Sequence, residues 1–213
     1  MDAQASTQKK DYIWKRIRLG LWKPADADEK EFARQDLAEL TKRADNKEID
    51  LVYFDQSGFN LWAKVVYAWQ KRGERITVPV TKGKSQNVLG VMWHRCQRFE
   101  SFVFEGSVDS NVVIGCFDLI AESLTEETWI VLDNAPIHRS QEFEEKIEEW
   151  EKSGLKIYFL PAYCPSLNKI ERLWEKIKYD WLSWEAYSSY ENLSQELDSI
   201  LSQIGSTYLI TFS

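Results

Sequence analysis

Apolar residues in this chain are grouped in two ways, as short runs in one set of segments and at helical spacing in another. Residues 49–54, 88–93, 99–104, 129–132 and 156–160 are short runs rich in β-branched and aromatic side chains and bounded by turn formers. Such runs predict strands, with 88–93 and 99–104 joined as a hairpin. Between the third and fourth runs, Val112, Val113, Cys116, Leu119 and Ile120 recur three or four residues apart, predicting a helix over 109–122. Residues 141–152 and 170–184 also read as helices, and Ile170, Leu173, Trp174, Ile177, Trp181 and Trp184 form one stripe on the latter. Ahead of the first strand, 26–46 predicts a helix whose apolar face, with Phe32, Leu37 and Leu40, is interrupted by charges.

Strands followed by alternating helix and strand imply a mixed α/β sheet with helices packed on it. Ligands gather in such folds at the edge formed by strand ends. Asp55 closes the run LVYFD and Asp133 closes WIVLD, so the two aspartates are expected to be neighbours there. Glu171, in the first turn of the last helix, lies about 100° around from Ile170 and can reach the same edge. Glu175, one turn later, competes for that role. The loop PAYCPSLN before this helix is stiffened by Pro161 and Pro165, with Ser166 or Asn168 placed to cap the helix.

Two carboxylates at strand ends and a third on a helix suit divalent-metal phosphoryl chemistry, because magnesium takes hard oxygen ligands and keeps positions open for phosphate and water. Each residue alone also has an ordinary reading. An aspartate after a strand serves turns and caps, and a glutamate in a first turn is favoured by the helix dipole.

Composition narrows the choice. The 213 residues, with ten Trp, nine Tyr and ten Phe, supply ample core for one domain plus an appendage. No apolar stretch is long enough to cross a bilayer, and MDAQASTQKKDY lacks a secretory h-region, so a soluble cytoplasmic protein is expected. Cys96, Cys116 and Cys164 are widely spaced and form no CxxC pair, which argues against a disulfide framework or a zinc site. The net charge of −7 runs against a nucleic-acid partner, but its distribution does not. From Trp62 to Arg98 the charges are nearly all basic (Lys64, Lys71, Arg72, Arg75, Lys82, Lys84, Arg95 and Arg98, with Glu74), whereas 142–151 is crowded with glutamate. A basic hairpin region facing DNA and an acidic outer helix would reconcile the two.

FDQSGF at 54–59, YAWQKRG at 67–73, VLDNAPIH at 131–138 and LPAYCPSLNKIERLW at 160–174, taken in order, resemble the catalytic domain of insertion-sequence transposases of the mariner-like superfamily. The resemblance covers about residues 49–185. It implies a ribonuclease H-like fold, a five-stranded mixed sheet flanked by helices and preceded by a helical linker. The first and fourth strands would lie side by side, with Asp55, Asp133 and Glu171 as catalytic, metal-holding carboxylates. Asn134 and His138 would flank the site. Residues 1–48 would then be the remnant of a DNA-binding region with a helical linker, and 49–213 the catalytic domain.

Three departures stand out. Gln56 occupies the place of a usual acidic neighbour, Lys169 replaces the usual proline before Ile-Glu, and the interval from Asp133 to Glu171 is slightly long. A helix-turn-helix region normally precedes this domain, so a second reading frame or a truncated copy is expected, with an upstream DNA-binding polypeptide as a possible partner. The implied chemistry uses two Mg2+ ions, with Mn2+ as substitute. Asp55 would bridge both, Asp133 would hold one and Glu171 the other; one ion activates water or a DNA 3′-hydroxyl and the other stabilises the leaving oxygen. Excision at terminal inverted repeats and insertion at TA follow from the resemblance, as does homo-oligomerisation on DNA. Lys82, Lys84, Arg95, Arg98 and His138 are the expected DNA contacts. The competing readings are a nuclease of the same fold and an inactive fragment that acts through protein contacts.

Overall fold

The computed structural model describes residues 26–61 and 84–211. The motif at 67–73 and Lys82 therefore lie outside the described residues, as does 1–25. Five strands, β1 (Asp50–Asn60), β2 (Ser85–Trp93), β3 (Phe99–Glu105), β4 (Thr128–Leu132) and β5 (Leu155–Phe159), form one sheet in the order β3-β2-β1-β4-β5. The first three are antiparallel, while β1/β4 and β4/β5 are parallel. This is the mixed sheet that the element order implied, with β1 and β4 side by side as the resemblance to a ribonuclease H-like catalytic domain implied.

Side-chain alternation along β1 divides the core in two. Leu51 and Tyr53 face one side, where they meet Leu37, Leu40 and Ala44 of α1 (Ala27–Asp45), Ile170, Leu173 and Trp174 of α4 (Ile170–Lys176), and Leu193 and Leu197 of α5 (Tyr190–Ser202). Val52 and Phe54 face the other, against Val113, Phe117 and Ile120 of α2 (Ser110–Glu122) and Phe143 and Trp150 of α3 (Gln141–Lys152). Each of the large buried side chains here, such as Phe117, contributes roughly 1.5–3 kcal/mol by leaving water. The Trp150 indole also donates to Asp118 at 2.8 Å, tying α3 to α2.

Helix α1 is part of this core, so the expected boundary at residue 48 runs through packed structure. Its buried positions are Ala33, Leu37, Leu40 and Ala44, whereas Phe32 is 66% exposed and lies off the face the periodicity gave it. Tyr158 of β5 donates to Asp36 at 2.9 Å, and Arg43 meets Glu127 at 3.2 Å, fixing α1 across the sheet. In the same way Leu119 faces outward from α2.

Three elements differ from the sequence pattern. β1 continues past Asp55 to Asn60, because β2 pairs with it all the way from Val52 to Asn60. The final predicted helix is shorter: α4 passes into a wider π turn over Ile177–Trp181, and the chain is extended at Leu182. α5 follows, capped by Ser189, whose hydroxyl accepts from Asn192 N–H. Beyond it the chain folds back on the β2–β3 turn, where the Gln97 side chain donates to Ile210 O at 2.8 Å and accepts from Ile210 N at 2.6 Å. Gly205, at φ +88°, permits this approach; a Cβ there would sit 1.9 Å from the Gln97 carbonyl oxygen. Among the described residues no helix is long and apolar enough to cross a membrane.

Candidate active site

The parallel pairing of β1 with β4 places Tyr53 opposite Val131, so two residues further along each strand Asp55 and Asp133 come level. Asp55 lies two residues after Tyr53 and Asp133 two after Val131, both on the α4/α5 face. α4 lies over that face, and Glu171 in its first turn is partly buried while Glu175 is exposed. The three expected carboxylates are thus brought together. Asp55 is not at a strand end but inside β1, at the point where β4 stops and β1 continues with β2 alone.

The electrostatics follow from that convergence. Burial, then the negative charges of Glu171 and Asp133, push Asp55 from 3.8 up to about 8, against hydrogen bonds from the Gln56 backbone and the Trp174 indole. Asp133 goes the other way. Burial raises it, but the hydrogen bond and charge of His138 together with the Ala135 N–H outweigh burial and leave its carboxyl below 3.8. One cluster therefore contains a carboxyl that resists ionisation and another that favours it.

Neighbouring side chains fix these groups. Trp174 Nε1 donates to Asp55 Oδ2 at 2.9 Å. His138 Nδ1 lies 3.0 Å from Asp133 Oδ1 and 3.2 Å from its carbonyl oxygen. Asn168 Nδ2 donates to Phe54 O at 2.9 Å, pinning the start of α4 to the strand beside Asp55. Neither Ser166 nor Asn168 caps α4 with its side chain. The Asn168 carbonyl oxygen accepts from Glu171 N instead, at 3.2 Å. Sequence periodicity assigned Trp174 to the core alone. The available signal was that a buried indole N–H needs an acceptor, and that Trp174 sits one turn from Glu171.

Both departures near the triad are accommodated. Gln56 donates to Asn87 Oδ1 at 3.1 Å. Lys169 already has helical backbone angles and lies over the Tyr53 ring, 3.4 Å from His94 Nδ1.

The expected DNA contacts are scattered. His138 is 2% exposed beneath Asp133 and packs against Phe54 and Phe143, so the expectation that it meets DNA is corrected: burial leaves it facing the carboxylate. Arg95 and Arg98 are also displaced from the site. Arg95 bonds Asp50 at 2.7 Å, five residues before Asp55, or about 17 Å away at about 3.3 Å per residue along β1. Arg98 bonds Glu100 at 2.6 Å and stacks on Trp93 at the same far end. Lys84 is exposed at the start of β2, on the hairpin that projects beyond the carboxylates, with its ammonium 5.0 Å from the Tyr190 ring.

The donor set is all carboxylate oxygen, which suits Mg2+ or Mn2+ better than a soft metal. Among the described residues no three His, Cys, Asp or Glu side chains are drawn closely enough to hold an ion by themselves. The fit rests instead on the crowded charge around Asp55, which a cation would relieve. Cys116 and Cys164 are buried and Cys96 exposed, all free thiols.

Comparison with known proteins bears on the family and the fold. The family model for the DDE superfamily endonuclease matches residues 50–194. An insertion element IS630 uncharacterized 39 kDa protein from Shigella sonnei is 29% identical over 128 residues, covering 59% of this chain and 36% of that protein. The Mos1 strand transfer complex superposes with a TM-score of 0.56 at 17% identity, over 88% of this chain and 58% of that one. The Mos1 mariner paired end complex with Mn gives a TM-score of 0.55 at 17% identity, over 88% and 60%. The chain spans about a third of the IS630 protein and under two thirds of the Mos1 chains. With the family model matched over most of its length, this chain belongs to the DDE superfamily endonucleases.

Proposed function

We propose that this domain cleaves DNA at transposon terminal inverted repeats and joins the freed 3′ ends to target DNA at TA sites, using Asp55, Asp133 and Glu171 to hold two divalent ions. The observation that carries the reading is the mutual charge of these side chains on Asp55. When bound, the ions supply charge stabilisation at the attacking and leaving oxygens. The chain's own residues do the rest: Asp133, kept ionised by His138, offers a fixed anionic oxygen, and Glu171 approaches Asp55 from the first turn of α4. The Mos1 complex with Mn supports divalent-ion use by analogy. Lys84 on the projecting hairpin is the proposed phosphate contact, Lys82 is proposed with it from its charge alone, and assembly as a homo-oligomer on DNA, with an upstream DNA-binding polypeptide, completes the proposal.

The test incubates the purified chain with Mn2+, a supercoiled plasmid and a labelled duplex with a free 3′-hydroxyl. Joined products that vanish in Asp55→Asn, Asp133→Asn and Glu171→Gln support the proposal. Nicking without joining favours a plain nuclease, and a folded protein inert with metal favours the inactive fragment.

A further inference from the structure

Asp55 and Gly90 are cross-strand partners between β1 and β2. Trp174, 2% exposed on α4, lies over that glycine: a Cβ on Gly90 would be 2.6 Å from both Cζ2 and Cη2 of the indole and 3.0 Å from Ile170 Cδ1. The absence of a side chain opposite Asp55 lets the ring come close enough to the strand for Nε1 to reach Asp55 Oδ2 at 2.9 Å. Phe59 and Phe99 hold the ring edge-on, with centroids 6.2 Å and 6.0 Å away.

We infer that Trp174 is a positioning residue: its indole N–H, seated in the gap left by Gly90, holds Oδ2 and so fixes the orientation in which the Asp55 carboxylate meets a cation. This deepens the metal-holding reading of Asp55 and rests on it. A ring retained only for packing could satisfy its N–H on a backbone carbonyl. Here the acceptor is a carboxyl side chain of the cluster, and the donor's own helix carries Glu171 three residues earlier. One turn of α4 thus sets two of the three carboxylates, one by supplying it and one by holding it. A free carboxyl group rotates about its last torsion, which is broad; a hydrogen bond from a buried ring removes that freedom.

The inference is tested on the whole chain with Trp174 replaced by 3-benzothienylalanine, which keeps the ring shape and exchanges N–H for sulfur, beside Trp174→Phe and Gly90→Ala. Mn2+ affinity is read from water-proton relaxation, and folding from thermal melting. The isostere is expected to bind Mn2+ about tenfold more weakly, the usual scale for losing an outer partner of a ligand, with its melting temperature close to that of the parent. Equal affinity in parent and isostere overturns the inference. A metal-free readout separates it from the underlying reading. In 15N-tryptophan protein, the indole signal lost in Trp174→Phe should shift in Asp55→Asn, and an indifferent signal overturns the inference by itself. Should the parent bind no Mn2+ while that signal still shifts, the metal-holding reading fails and the hydrogen bond stands.

Discussion

His138 and Asp133 form a buried-to-exposed pair: the imidazole is 2% exposed and places Nδ1 3.0 Å from an aspartate whose side chain is half exposed. The ring is held among Phe54 and Phe143, so it cannot follow the carboxylate if that group swings outward. It acts as a fixed anchor beneath that carboxylate. His138→Ala is expected to weaken Mn2+ binding and DNA cleavage about 10- to 100-fold, as loss of an outer partner of a ligand does. Metal titration and a plasmid-nicking assay check this, and an unchanged variant would detach His138 from the site.

Asp55 makes metal-free stability depend on pH. Its carboxyl is raised from 3.8 to about 8, so the folded state holds the proton more tightly than the unfolded chain does. The stabilisation is fully present below about pH 4 and is lost as pH rises through about 8. In chelator, Asp55→Asn is therefore expected to melt several degrees above the parent at pH 9, with the difference closing toward pH 4. Added Mn2+ should restore the parent at high pH and leave the variant unmoved. Melting curves that run parallel across this range would contradict the assigned burial and charge.

Asn168 joins the loop before α4 to the backbone of β1, and its buried Oδ1 has no hydrogen-bond partner among the described residues. Asn168→Ala leaves the Phe54 carbonyl oxygen without its donor, a loss of roughly 1–3 kcal/mol. Activity should fall by more than stability alone explains, because Glu171 begins only three residues later. Denaturant unfolding measures the first effect; cleavage at saturating Mn2+, under conditions where the variant is folded, measures the second.

How much of this was legible in the sequence depended on whether a residue's partner was local. The five strands and the helices α2 and α3 were marked by their own periodicity, and Asp55, Asp133 and Glu171 by their place in four ordered motifs. α5 was passed over although Leu193, Leu197, Ile200 and Leu201 follow a serine cap at helical spacing. The roles of Trp174 and Asn168 required knowing which distant group each would meet, and that of His138, five residues after Asp133, required knowing that its ring would be buried. Arg95 and Arg98 looked like DNA contacts because charge can be counted along a chain, but the antiparallel reversal at β1/β2 carries them to the opposite end of the sheet.

That separation gives a clean contrast. Lys84→Ala should lower DNA affinity and reduce the dependence of log affinity on log salt by about one. Arg95→Ala should change neither; its loss should show as reduced stability, because Asp50 and Glu126 lose their cation. Binding measured over a series of salt concentrations decides it, and an unaltered slope for Lys84→Ala would remove the projecting hairpin from the interface.

The parallel contact of β1 with β4 also has a kinetic meaning. Asp55 and Asp133 belong to strands separated by the whole β2–β3 hairpin and α2, so their meeting requires closure of a long loop, a slow step in folding. A chain still on its way to the native state, even one with its hairpin formed, lacks the carboxylate cluster entirely. Assembly of the carboxylate cluster is thus deferred until the central strands have joined.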